Sequence, residues 1–203
     1  TMRISYLGFD VAGRSGETPL RDLRVREAIA RAVDRHAIVD NLIRGDSRVI
    51  NTPCFPTQFG CDETQAMIWE HDPDTSRALL AEAGLSGGFT VDLYNYRSSS
   101  WGEAIIADLA AVGITANLSQ MGYFALRDLQ HQGQTALYLM DWGSLSINDM
   151  SAITSRFFNL GPDDFARDEE LAAWLETGDN SSDPDVRREA YARAIARITG
   201  ELY

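Results

Sequence analysis

Two short segments of this chain carry the residue types from which a binding site is usually built. The first runs from Trp142 to Asp149 and sets an indole, two hydroxyls, an amide and a carboxylate (Trp142, Ser144, Ser146, Asn148, Asp149) within eight residues. Gly143 beside the tryptophan and small polar groups after it suit close approach of a small polar ligand. The local alternative is that Asn148 or Ser146 caps a helix and Trp142 packs beneath the loop. The second segment holds Asn95, Arg97 and Trp101, with Tyr94 and Tyr96 beside them. A planar guanidinium there can hold a carboxylate through its fork; a surface arginine stacked on a neighbouring ring is the alternative.

Other chemistry is poorly supported. His36, His71 and His131 lie far apart, with no metal-ligand spacing to one another or to the cysteines. There is no Gly-x-Ser-x-Gly elbow, and Ser98 to Ser100 have no recognisable base. The run Ala83 to Gly88 lacks dinucleotide-binding spacing. The pairs Asp163-Asp164 and Glu169-Glu170 are read as surface or capping acids. No catalytic residue, metal ligand or cofactor is assigned, and the chain is read as a non-enzyme.

Composition narrows the partners. The chain has 203 residues and a formal charge of −12, from 18 basic and 30 acidic residues. Every basic residue is arginine, so lysine chemistry and a P-loop lysine are excluded. A chain this acidic without a basic stripe is not expected to bind nucleic acid or an anionic membrane surface. Its apolar runs are too short to span a bilayer. The opening Thr1-Met2-Arg3 has no apolar stretch of a signal peptide. Cys54 and Cys61 bracket a turn-rich loop. A bridge between them, worth roughly 2.5 kcal/mol by loop entropy, is favoured and implies an oxidising compartment; two free thiols are the other possibility.

The elements that must position these segments follow from periodicity. Arg3 to Phe9 reads as a strand. Val25, Ile29, Ala32 and Val33 mark one face of a helix, and Asp34 caps a second carrying Ile38, Val39, Leu42 and Ile43, closed by Gly45. Residues 46–71 are irregular and contain the cysteine loop. Asp72-Pro73-Asp74 and Asp183-Pro184-Asp185 each start a helix with a cap, a first-turn proline and an acid facing the dipole. The second of these helices carries Val186, Ala190, Ile195 and Ile198 as its apolar positions. Between them come a strand over 89–94, a helix over 103–112, a strand over 115–118, a helix over 124–132, a strand over 135–142 and a helix over 147–158. This β-α-β-α-β order predicts a largely parallel sheet covered by helices. Ligands of such sheets sit beyond the carboxyl ends of strands, where both candidate segments fall.

Read together, several stretches resemble the extracytoplasmic solute-binding proteins of peptide- and nickel-type ABC importers, family 5. The resemblance rests on Asp22 to Ile29 with Ala32 to Arg35 and Ile38-Val39, on Cys54 to Cys61, and on Asp72-Pro73 leading to Leu79 to Gly84 and Gly88-Phe89. It continues in Leu109, Val112 to Ile114 and Trp142 to Asp149. Their order and spacing match over nearly the whole chain.

The resemblance implies an α/β fold of the periplasmic-binding-protein type II, a mostly parallel sheet flanked by helices. It implies that residues 1–203 form one lobe, the second of two, without the N-terminal lobe or the final return segment. Such a protein captures a peptide-like or other small polar solute and delivers it to ABC permease subunits in the membrane, from the periplasm or the cell exterior. An α/β hydrolytic or transferase domain, or a sensor or docking module of the same fold, is the alternative. By position, Trp142 and the residues after it would line the cleft, and Arg97 would meet a carboxylate. One departure stands out. Peptide-binding members commonly place an aspartate three residues after this tryptophan, where it pairs with the ligand's ammonium; here that residue is Leu145. Either Asp149 takes that role or the ligand has no free amine there.

Overall fold

The computed structural model describes residues 3–43 and 45–203. Thr1 and Met2 of the opening segment therefore lie outside the described residues. The chain divides into two compact units. One comprises Leu7–Val49 and Trp69–Met140, the other Thr1–Tyr6, Ile50–Ile68 and Asp141–Tyr203. Strands β1 (Arg3–Phe9) and β4 (Leu137–Gly143) each continue from one unit into the other. With β2 (Phe89–Asn95) and β3 (Ile114–Gln120) they form a four-stranded sheet ordered β1-β4-β2-β3. β2 is parallel to β3, with Phe89 opposite Ile114, and parallel to β4, with Asn95 opposite Leu139. The expected α/β class and parallel pairing are both present.

The first unit is built around helices α1 (Leu23–Ala32), α2 (Arg35–Leu42), α3 (Pro73–Glu82), α4 (Ser99–Ala111) and α5 (Tyr123–His131). Asp22, Asp34 and Asp72 cap α1, α2 and α3 by accepting from Arg24, Ala37 and Thr75 backbone N–H groups. Val25, Ile29, Ala32 and Val33 are buried as their spacing predicts, α1 packs on α3, and α4 covers β2 and β3. Arg26 is buried among these apolar residues because its Nη1 donates to the carbonyls of Leu20 and Arg21, each at 2.9 Å. Gly88 is required where the chain enters β2: a Cβ there would lie 1.9 Å from the Gly113 carbonyl oxygen, and its φ is +74°.

The second unit holds α6 (Ser151–Phe157), α7 (Glu169–Asn180) and α8 (Pro184–Glu201), with α7 packed on α8. Cys54, Met150, Leu171, Leu175, Tyr191, Ala194, Ile195 and Ile198 form its core. Cys54 and Cys61 are joined by a disulfide, as the loop composition favours. Tyr191 is fully buried, and a Cβ at Gly60 or Gly178 would lie 2.2 Å or 2.5 Å from its ring.

Several expectations need correction. α4 starts at Ser99, not at 103, so Trp101 is helical; two serines and a glycine around Trp101 in this first turn hide the helical period. α6 starts at Ser151 rather than 147, because the backbone of residues 148–150 pairs with Phe59 instead of entering the helix. α2 ends at Leu42 with none of its residues fully buried, and Val186 of α8 is exposed. Helix α7, capped by Asp168, which accepts from the Glu170 and Leu171 N–H groups, is an element beyond those that periodicity predicts.

Candidate functional site

The eight candidate residues divide between the two units. In the first unit, Asn95 ends β2 and is fully buried. Its Nδ2 donates to the Ser98 carbonyl and to Gln120 Oε1, at 3.1 Å and 2.9 Å, and its Oδ1 accepts from Arg97 N–H at 2.6 Å. Gln120 Nε2 donates to the Arg97 carbonyl at 2.8 Å. Asn95 thus shapes the turn that carries Arg97, its amide being engaged inside the protein. Arg97 Cζ lies 4.9 Å from the Trp101 ring centre and 5.6 Å from that of Tyr96. The structure therefore contains the stacked arginine, with rings that fix the plane of the guanidinium. Trp101 Nε1 donates to the Leu42 carbonyl at 3.4 Å.

In the second unit, β4 leads through Gly143 into the segment 144–149. Trp142 is half-buried, donates from Nε1 to the Ala152 carbonyl at 3.0 Å, and meets the Phe157 ring edge-on at 5.2 Å. Its N–H is taken by α6, as in the packing alternative. Ser144 is buried; its carbonyl accepts from Ile147 N–H at 2.9 Å, and its Oγ has no hydrogen-bond partner among the described residues. Leu145 and Ser146 occupy left-handed backbone conformations, φ 52° and 69°, uncommon for residues with a Cβ. Leu145 is 85% exposed and Ile147 51%, with Ser146 and Asn148 exposed beside them. Neither Asn148 nor Ser146 caps α6.

The carboxylates flanking this tip are both held. Asp141 accepts from Arg3 Nη1 at 2.8 Å. Asp149 Oδ2 accepts from Arg187 Nη2 at 2.7 Å, and its Oδ1 accepts from Ser151 N–H at 3.1 Å and from the Tyr191 hydroxyl at 3.4 Å. Burial alone would raise the Asp149 carboxyl, but the bonds from Ser151 and Arg187 outweigh it and hold the group below the usual carboxylate range. Asp149 therefore stands in an internal network rather than as an open acid. Sequence reasoning missed the other members, Arg187, Tyr191, Asp179 and Gln58. They come from distant stretches, and no local pattern links them.

Residues 1–164 match the family described as bacterial extracellular solute-binding proteins, family 5 middle. The chain belongs to this family. Among curated relatives of this family 5 chain, the dipeptide-binding protein of Escherichia coli is 29% identical over 149 residues, covering 70% of this chain and 27% of that protein. Heme-binding protein A of Haemophilus influenzae is 25% identical over 149 residues, covering 70% and 26%. The family 5 chain thus spans about a quarter of these relatives' length. Among solved structures, the dipeptide binding protein from Pseudoalteromonas sp. SM9913, in complex with Met-Leu, superposes with a TM-score of 0.89 at 19% identity, covering 100% of this chain and 41% of that one. At that identity the likeness establishes the fold, here of the periplasmic-binding-protein kind.

Proposed function

We propose that the chain is a solute-binding lobe, the second of two in a longer protein, that captures a small solute for an ABC importer. A peptide-like solute is the class most consistent with the relatives' names. The observation that carries this reading is the segment after Trp142 within a family 5 fold. It is an exposed tip of Leu145, Ser146, Ile147 and Asn148, held in a defined backbone shape beside the buried Ser144, with flanking carboxylates neutralised by Arg3 and Arg187. Such a surface contacts a ligand through shape, apolar area and neutral hydrogen bonds. In this reading Trp142, Ser144, Ser146 and Asn148 are the solute contacts of their unit, and Arg97 an anion-holding group of its own.

The work of such a protein is binding, not catalysis: lobe closure about a hinge traps the solute, and the permease subunits receive it. The location that goes with this role is the periplasm or the outer face of the cell membrane. With Asp149 engaged by Arg187, we read the part of the solute against this segment as lacking a free ammonium, since a buried ammonium without a partner is costly. Mass spectrometry of the molecules retained by the full-length protein after native purification tests the reading. Stoichiometric recovery of one small solute is expected. A protein that retains none, and is not thermally stabilised by dipeptides, N-acetylated dipeptides or heme, contradicts it.

A further inference from the structure

The ring closed by Cys54 and Cys61 meets the candidate solute segment through a set of directed bonds. Gln58, inside the ring, is 3% exposed. Its Nε2 donates to two carbonyls, those of Ile147 at 2.9 Å and Asp149 at 3.0 Å. These carbonyls are two residues apart, the spacing at which extended backbone presents successive carbonyls to one side, and the two protons of one amide match them. Gln58 Oε1 is itself held by Phe55 N–H at 2.8 Å. Next to it, Phe59 N–H donates to the Asn148 carbonyl, and the Phe59 carbonyl accepts from Met150 N–H, each at 3.1 Å. Cys54 and Met150 share one core, so the ring and the end of the segment are anchored together.

We infer that the ring closed by Cys54 and Cys61 is a clamp that sets the shape of residues 144–150, with Gln58 as its positioning residue. The clamp holds the far end of a turn that the bond from Ile147 N–H to the Ser144 carbonyl closes, at 2.9 Å, and whose two central residues, Leu145 and Ser146, are left-handed. Sparsely populated backbone states persist only where the surroundings over-determine them. A segment already fixed loses less conformational freedom when a solute docks, so the clamp raises affinity without touching the solute. This consequence for binding rests on the function proposed above; the clamp itself does not.

Hydrogen exchange read by mass spectrometry on the full-length protein tests the clamp, with Gln58→Glu and Gln58→Met compared to wild type. Gln58→Glu keeps the acceptor for Phe55 N–H and removes both donors; Gln58→Met removes all three bonds with similar volume. Both variants are expected to exchange amides of the 144–150 peptide at least tenfold faster, with β2 unchanged. Wild-type exchange in that peptide, or an equal rise in β2, overturns the inference. Calorimetry with Met-Leu as probe then reads the consequence, and at least a fivefold weaker Kd in both variants is expected. Faster exchange with an unchanged Kd overturns the link to affinity. If wild type binds neither Met-Leu nor N-acetyl-Met-Leu, the peptide reading of function fails while the exchange comparison still decides the clamp.

Discussion

Arg187 of α8 donates to the Asp149 carboxylate at 2.7 Å, across 38 positions of sequence, and ties the last helix to the segment that follows Trp142. The same guanidinium donates to the Gly178 carbonyl at 2.7 Å and the Tyr191 hydroxyl at 2.9 Å, and lies 4.7 Å from the Phe59 ring centre. One arginine thereby joins α7, α8, the cysteine loop and the candidate solute segment. With each partner about one-fifth exposed, the pair lies between the surface and buried limits. Arg187→Met should cost about 2 kcal/mol, because it leaves Asp149 partly buried and unpaired. Urea unfolding of wild type, Arg187→Met, Asp149→Asn and the double variant checks this, and the double variant should be more stable than the sum of the single losses allows.

Acid should loosen the same unit. Asp149 and Asp168 are both held below the ordinary carboxylate value: burial opposes this in each, and hydrogen bonds to Ser151 and Arg187, or to Leu171, Arg197 and Tyr203, outweigh it. A depressed carboxyl stabilises fully above the unfolded pKa of about 4 and stops doing so as pH falls through its lower folded value. Unfolding midpoints should therefore hold near neutrality and fall below about pH 4. Asp168→Asn should be less stable at pH 7 and show a shallower acid dependence.

Tyr191 makes two glycines obligatory. Gly178→Ala places a Cβ 2.5 Å from the tyrosine ring, and Gly60→Ala places one 2.2 Å away at a φ of +82°. Each should cost about 2 kcal/mol through overpacking, the second more because of its backbone. Double variants with Tyr191→Leu should recover part of the loss at Gly178. Thermal unfolding of the four proteins reads the difference.

The disulfide gives a simple chemical check. Thiol titration of denatured, unreduced protein should find no free thiol, since Cys54 and Cys61 are paired. Reduction should lower stability by roughly 2.5 kcal/mol on the loop-entropy account.

Much of the fold can be read from local pattern, and the exceptions share a cause. Strand β1, the helix starts at Asp22, Asp72 and Asp183, and the alternation of strands with helices from Phe89 to Gly143 each depend on residues close in sequence. The start of helix α6 is set from a distance: Phe59, some 90 positions earlier, takes the backbone groups of Asn148 and Met150. Arg26 is buried because the carbonyls of Leu20 and Arg21, in the turn before α1, accept from its guanidinium, a relationship that helical periodicity does not show. The site shows the same division. Trp142 and Arg97 stand out by type and neighbours, whereas Gln58 and Arg187 acquire their roles only through carbonyls and carboxylates brought to them by the fold.

A lobe should bind less well than the whole. If each lobe supplies half of a nanomolar interaction, about 12 kcal/mol, the 203-residue chain alone is left with a Kd of about tens of micromolar. Submicromolar binding of a dipeptide by the isolated chain would remove the two-lobe reading.

The account turns on the segment after Trp142 as the solute contact. Calorimetric titration of the full-length protein and its Trp142→Ala variant, with the solute recovered from native protein, tests that most directly. The variant is expected to unfold cooperatively but at a lower temperature, because the contacts of Trp142 with Phe157 and the Ala152 carbonyl are lost, and to bind at least tenfold more weakly when folded, a loss of about 1.4 kcal/mol. An unchanged Kd in a folded Trp142→Ala protein would contradict the account.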